Sequence, residues 1–234
     1  MRLTTIAAIV ISCGITLGVP NEALGFPPYR STDAETADPW TLEGRLGLVR
    51  VRRDQSENVY VSPLWRVNLG LPYRLELVTE GEWNATAERL GDAAVGTKWV
   101  PFFSTFSIGV EALALLPISS EGGAGTEVQL IATQRWEPIL LHLNGGGFYD
   151  ARPAKVEKGW RGSLLAEVTL GRWRPGLELF AKQVNGGAVE PLGGAGVIVK
   201  LGPIDLRTGV HVGLAEASAD VTASFWIASK LPLR

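Results

Sequence analysis

"GDAAVGTKWVPFFSTFSIGVEALALLP", Gly91 to Pro117, carries three charges, Asp92, Lys98 and Glu111, in a stretch otherwise composed like protein core. Read with a period of two, its first part separates into Ala93, Val95, Thr97 and Trp99 on one side and Asp92, Ala94, Gly96 and Lys98 on the other. Strict alternation of this kind marks a strand with two unlike faces. Beyond "PFFST" the pattern resumes, with Phe106, Ile108, Val110, Ala112 and Ala114 set against Ser107, Gly109 and Glu111. Two such strands joined by a short turn make a hairpin that is apolar on one face and polar on the other.

The same pattern recurs on both sides. "WTLEGRLGLVR" sets Trp40, Leu42, Leu46 and Leu48 against Thr41, Glu43 and Arg45, and "VYVSPLWRVNLGL" sets Val59, Val61, Trp65, Val67 and Leu69 against Tyr60, Ser62, Arg66 and Asn68. "YRLELVTEGEW" places Arg74, Glu76, Glu80 and Glu82 on one face, and "TEVQLIATQRW" sets Val128, Leu130, Ala132 and Trp136 against Glu127, Gln129, Thr133 and Arg135. With "ILLHLNGGGFY", "WRGSLLAEVTL", "GLELFAKQV", "AGVIVKL", "IDLRTGVHVGL" and "VTASFWIASKL", the chain holds about twelve segments of strand character.

Short connections ("LPY", "PFFST", "EP", "GRWRP", "GP") alternate with longer ones ("RRDQSEN", "NATAERLG", "ISSEGGAG", "DARPAKVEKG", "NGGAVEPLGG"). That alternation is expected of an all-β, antiparallel up-and-down transmembrane β-barrel with short periplasmic turns and longer extracellular loops. Greek-key crossings in a soluble sandwich give no reason for it. Pairing across "GP" sets Lys200 opposite Asp205 and Leu201 opposite Ile204, and pairing centred on Leu71 sets Arg66 opposite Glu76 and Trp65 opposite Leu77.

The chain opens with Arg2, an apolar run from Leu3 to Leu17, and small residues Ala23 and Gly25, the parts of a cleaved signal peptide over residues 1–25 with Phe26 as the mature start. The single cysteine, Cys13, falls within that peptide; lipidation there is the alternative to its removal. Without it the chain has neither a disulfide framework nor a thiol nucleophile, and only His142 and His211 could serve a metal or a proton relay. No metal site and no cofactor are expected. A formal charge of −2, with both signs dispersed, argues against nucleic acid as a partner. Residues 26–39, with Pro27, Pro28, Asp33, Glu35 and Asp38, are too polar and proline-rich for a strand. They are expected either to hang in the periplasm, which the composition favours, or to fold into the lumen as a plug. Residues 40–234 form the barrel.

An outer-membrane barrel turns its apolar face to lipid. The expected lumen-facing residues are therefore Glu43, Arg45, Arg66, Arg74, Glu76, Glu80, Lys98, Glu111, Glu127, Arg135, His142, Arg161, Glu167, Lys200, Asp205 and Arg207. Both signs are present, so they can pair across a polar interior. Trp40, Trp99, Trp136 and Trp173 fall at strand ends on the periplasmic side and Trp83 and Trp160 at the other, as interfacial aromatics do. Trp65 and Trp226 fit neither girdle.

"RSTDAETADPWTLEG" (Arg30 to Gly44), "LPYRLELVTEGEW" (Leu71 to Trp83) and "GDAAVGTKWVPF" (Gly91 to Phe102) resemble segments of small outer-membrane channel proteins labelled as belonging to the phenol-degradation (MetA) pathway. The resemblance implies a barrel that passes small apolar or aromatic solutes and supplies no catalytic residue. In this chain Phe225 and Trp226 lie several residues inside the C-terminal end, where such barrels usually close on an aromatic residue.

Twelve strands stand between about eight, which leave an interior filled by side chains, and about sixteen, which leave an open aqueous pore. The leading expectation is a passive channel or facilitator with a narrow charged lumen, its partners being outer-membrane lipid, the barrel-assembly machinery and a small-molecule solute. One alternative is an outer-membrane lipid hydrolase, for which His142, with Thr133 across the "EP" turn and Ser163 on the next strand, is the candidate base. The other is a periplasmic binding barrel that does not insert.

Overall fold

The computed structural model describes residues 27–54, 57–85, 89–118, 122–153 and 155–233. The expected signal peptide, Cys13 and Phe26 lie outside the described residues. So does the side chain of Asp92, for which an inward orientation was expected.

Among the described residues, twelve antiparallel strands close into one barrel in sequence order, β1 (Thr41–Asp54) pairing with both β2 (Glu57–Leu71) and β12 (Val221–Pro232). Between them run β3 (Leu75–Asn84), β4 (Arg89–Phe102), β5 (Phe106–Leu116), β6 (Gly125–Trp136) and β7 (Ile139–Asp150). They are followed by β8 (Glu157–Val168), β9 (Trp173–Val184), β10 (Val189–Leu201) and β11 (Ile204–Gly213). Closure removes every sheet edge, so each strand's backbone groups find partners in the wall. Strands of ten to fifteen residues suffice to cross an apolar band about 25 Å tall at a tilt of roughly 35–45°.

The alternation read from the sequence sorts the two faces. On β4, Val95, Thr97 and Trp99 are exposed on the outer wall, while Ala94, Lys98 and Val100 are buried inside. Leu130 and Leu177 are 64% and 68% exposed, whereas Lys98 and Glu111 are 2% and 1% exposed. Apolar side chains therefore cover the outside and ionisable ones fill the interior, the reverse of a soluble barrel.

The short connections, such as Gly202–Pro203 between β10 and β11, gather at one end of the barrel, the turn end. Gly202 takes φ +66°, a left-handed conformation that glycine adopts without a Cβ clash. The opposite, loop end is shorter than the sequence implied. β1 runs to Asp54 and β2 starts at Glu57, so most of "RRDQSEN" is strand, and β10 begins at Val189 inside "NGGAVEPLGG". Ladder hydrogen bonds from neighbouring strands extend these segments beyond what their polarity suggests.

Two register expectations separate here. Lys200 pairs with Asp205 and Leu201 with Ile204, as the "GP" turn implied. Arg66, however, faces Glu80 rather than Glu76, and Trp65 faces Gly81 rather than Leu77. The turn is built on Pro72–Arg74, with Tyr73 and Arg74 both at positive φ, and this moves the centre of the hairpin from Leu71 to Tyr73. The slip is even, so each residue keeps its face and Arg66 still meets a carboxylate.

A second correction concerns β2. A register shift between Val61 and Leu64 switches the faces, placing Val61 and Leu64 inside while Trp65 stays outside. Val61, Leu64 and the fully buried Trp226 form an inner apolar cluster, so Trp226 belongs to neither girdle because it points into the barrel. Val78, Ala94, Leu113 and Leu115 form another.

Candidate functional site: an occupied lumen

Residues 27–39 precede β1, and 27–37 lie inside the barrel; Ser31, Thr32 and Ala34 are at most 1% exposed. A buried segment that is not a strand must find partners for its backbone amides elsewhere. The lumen wall supplies them. Glu178 accepts the N–H of Arg30 at 3.0 Å, the N–H of Ser31 at 2.6 Å and the Ser31 hydroxyl. Asn144 exchanges two bonds with Thr32, its Oδ1 accepting the Thr32 N–H at 2.7 Å and its Nδ2 donating to the Thr32 carbonyl at 2.9 Å. Thr133 Oγ1 accepts the Ala34 N–H and Glu76 Oε2 the Ala37 N–H, both at 2.8 Å.

Side chains of the segment are held as well. Lys98 Nζ donates to Asp33 Oδ1 at 3.0 Å, Arg135 reaches Glu35 at 2.8 Å, and Ser31 Oγ lies 2.8 Å from Ser163 Oγ. Burial opposes ionisation of Asp33, but the adjacent Lys98 ammonium holds its carboxyl well below the usual carboxylate range. Tyr29 packs with Leu165 and Ile198. Its hydroxyl lies against Gly176 and its ring against Gly196, where a Cβ would come within 2.6 and 2.8 Å of them. The chain leaves the lumen where the Trp40 N–H donates to the Gly70 carbonyl at 2.8 Å and β1 begins.

Both histidines of the chain serve this arrangement. His211 Nε2 lies 2.6 Å from Glu178, on the carboxylate that holds Arg30 and Ser31. His142 lies between Thr133 Oγ1, 2.9 Å from Nδ1, and Glu167 Oε2, 3.1 Å from Nε2. Thr133 Oγ1 thus contacts both the Ala34 N–H and the His142 ring, whose other nitrogen meets Glu167. The hydroxyl, imidazole and carboxylate line up, but the hydroxyl oxygen is occupied by the segment and Thr133 is fully buried.

The rest of the interior is bridged by charge. Arg66 binds Glu80 at 2.8 Å and Glu111 at 2.5 Å, and Gln129 donates to Glu111 at 2.9 Å. Nearer the loop end, Arg161 pairs with Glu127, and Arg50 with Glu82 at 2.8 Å. Together with the segment, this network fills the middle of the lumen with buried polar and charged side chains.

Of the residues expected to face the lumen, Glu43, Arg45, Arg66, Glu76, Glu80, Lys98, Glu111, Glu127, His142, Arg161, Glu167 and Arg207 are buried inside. Arg135 and Asp205 are partly buried, and Lys200 is exposed at the turn-end mouth. Arg74 departs from the expectation. It lies in the Pro72–Arg74 turn, exposed, with its guanidinium 4.1 Å over the Phe103 ring, because the turn there takes up the residues assigned to the strand. Trp40, Trp99, Trp136 and Trp173 are exposed towards the turn end and Trp83 and Trp160 towards the loop end. Glu178, Lys182 and His211 were missed. The signal was there in "GLELFAKQV", where Glu178 and Lys182 share a face, but Phe180 between them blurs it.

No family model matches this sequence, and no curated protein is significantly similar to it. Among solved structures, an outer-membrane channel from Pseudomonas putida F1 is similar with a TM-score of 0.65 at 10% identity, over 85% of this chain and 98% of that one. The NanC porin is similar with a TM-score of 0.60 at 12% identity, over 81% of this chain and 100% of that one. At such identities the likeness is one of fold. This chain has the fold of outer-membrane channel barrels.

Proposed function

We propose that the protein is an outer-membrane channel or facilitator for small solutes, with residues 27–39 as a plug seated in its lumen. The observation that carries this reading is the barrel's inverted polarity, with leucines and valines outside, ion pairs inside, and a non-strand segment held in the middle by wall side chains. The two aromatic bands at the barrel ends and the export signal read from the sequence support a place in the bacterial outer membrane. In this reading the turn end faces the periplasm. Lipid surrounds the wall, and the barrel-assembly machinery inserts it.

The resemblance of the sequence to MetA-pathway channels points to apolar or aromatic solutes. Passage requires the segment to yield, since the lumen is bridged while it is seated. A hydrolase reading is disfavoured because both candidate hydroxyls beside His142 are engaged by the segment, Thr133 by the Ala34 N–H and Ser163 by Ser31.

Reconstitution in planar bilayers and liposomes tests the proposal. Ion and small-aromatic flux is expected from the full chain, and larger flux after excision of residues 27–39. Complete absence of flux from both forms would leave a structural barrel. A protein that remains soluble and monomeric without detergent would instead favour the periplasmic binding barrel.

A further inference from the structure

Among the described residues, the charged side chains exposed at the turn end are Arg74, Arg172, Lys200 and Lys230 against Asp38 and Glu137. Their half-buried neighbours are matched within the protein, Glu35 by Arg135, Asp205 by Arg207 and Arg174 by Glu167. The exposed rim is therefore positive. Lys200 and Lys230 still face carboxylates across the ladder, Asp205 and Glu43. Arg74 and Arg172 form no ion pair among the described residues.

What each of these arginines has instead is an aromatic ring. The Arg74 guanidinium lies 4.1 Å from the centroid of Phe103, and that of Arg172 lies 5.7 Å from the centroid of Trp173. Both supports are fixed. The Phe103 ring also carries the Arg135 guanidinium at 4.7 Å, and Arg135 is itself held by the Ser104 carbonyl at 2.9 Å and by Glu35 at 2.8 Å. Arg172 stands in a tight turn closed by reciprocal backbone bonds between Leu170 and Trp173, at 2.8 and 3.1 Å. A guanidinium stacked on a ring still presents its fork of N–H donors, which matches the oxygens of a phosphate. The tryptophans of the turn end put these two arginines at the level of a membrane interface, where the phosphate at hand belongs to a lipid headgroup.

We infer that the turn-end rim binds anionic phospholipid, one headgroup phosphate being taken by Arg74 beside Phe103 and another by Arg172 beside Trp173. A lipid of net negative charge is preferred to a zwitterionic one, because neither arginine has a carboxylate at its side to receive a choline or ethanolamine group. The inference rests on the outer-membrane reading, which sets the rim among headgroups.

The full-length protein in detergent micelles, offered equal amounts of phosphatidylglycerol and phosphatidylcholine of one chain length, tests it, with the retained lipid counted by native mass spectrometry. Phosphatidylglycerol is expected to be preferred at least about fivefold. The preference should vanish in Arg74→Gln/Arg172→Gln and persist in Lys200→Gln/Lys230→Gln, which removes the same charge from the rim. All four side chains are exposed, so neither double variant disturbs the buried ion pairs. No preference in the unaltered protein, an unchanged preference in the arginine variant, or an equal loss in the lysine variant would overturn the inference. Equal retention of both lipids would remove the site and keep the membrane reading, whereas a chain that retains neither and stays soluble without detergent would remove both.

Discussion

The Lys98 ammonium donates to Asp33 Oδ1 at 3.0 Å, tying the fourth strand of the wall to a residue that belongs to no strand. This pair is the buried ion pair in the hold on residues 27–39, beside the more exposed Arg135–Glu35 pair. It explains the lone lysine in the Gly91–Pro117 stretch. Lys98 faces inward because its strand alternates, and it finds its partner there in a carboxylate from another part of the chain.

Replacing Lys98 with methionine leaves Asp33 buried without its cation, a change that typically costs about 3–5 kcal/mol when one partner of a buried pair is removed. The segment is expected to leave the lumen, read as amide exchange at Ser31–Ala37 rising to that of an exposed peptide. Lys98→Met combined with Asp33→Asn should recover part of the protection. Unchanged exchange in Lys98→Met would show that the pair does not hold the segment.

The pH dependence follows from the direction of the Asp33 shift. Its carboxyl is held below the ordinary value, about 3.9, so the pair's contribution is complete above that value and is lost only as pH falls through the lower, folded one. Amide protection in the segment, corrected for intrinsic exchange, should therefore be constant from pH 7 to pH 5. Loss of protection within that interval would transfer control from Asp33 to another group.

Glu178 gathers the amides of Arg30 and Ser31, the Ser31 hydroxyl and His211 on one carboxylate. Glu178→Ala leaves these buried donors unmatched, at about 1–3 kcal/mol for each unsatisfied group. The N-terminal part of the segment should open while the Lys98–Asp33 contact persists, seen as exchange rising at Ser31 before Ala37. Uniform opening of the whole segment would mean that it is released as one unit.

The outward face tests the membrane reading. Leu130, 64% exposed on β6, becomes an unpaired charge in lipid in Leu130→Arg, at about 2–4 kcal/mol if it lies near the bilayer midplane. Folding into lipid vesicles should be impaired by that amount, while Thr126→Arg, on the same outer face but nearer the loop end, should be affected less. Equal tolerance at both positions would argue that the apolar wall does not contact lipid.

Faces were readable from the sequence because burial in a barrel follows a period of two, and the "GP" hairpin was readable because two residues leave little choice of turn. The "LPY" hairpin was not, since Tyr73 and Arg74 adopt positive φ that their side chains do not announce. Nor was the face switch of β2, which arises where its pairing with β3 slips between Val61 and Leu64. The buried position of residues 27–39 was hidden for a different reason. Their polarity looks like solvent exposure until Glu178, Asn144 and Thr133, far along the chain, are seen to satisfy their amides.

The most direct test of a movable plug is a reversible lock. Ser31 Oγ and Ser163 Oγ are 2.8 Å apart, and the chain's single cysteine, Cys13, falls in the expected signal peptide. Ser31→Cys with Ser163→Cys should therefore form a disulfide across the lumen. Solute flux through the reconstituted double variant should be lost on oxidation and restored on reduction. Equal flux in both states, with the bond verified by mass spectrometry, would contradict passage by displacement of the segment.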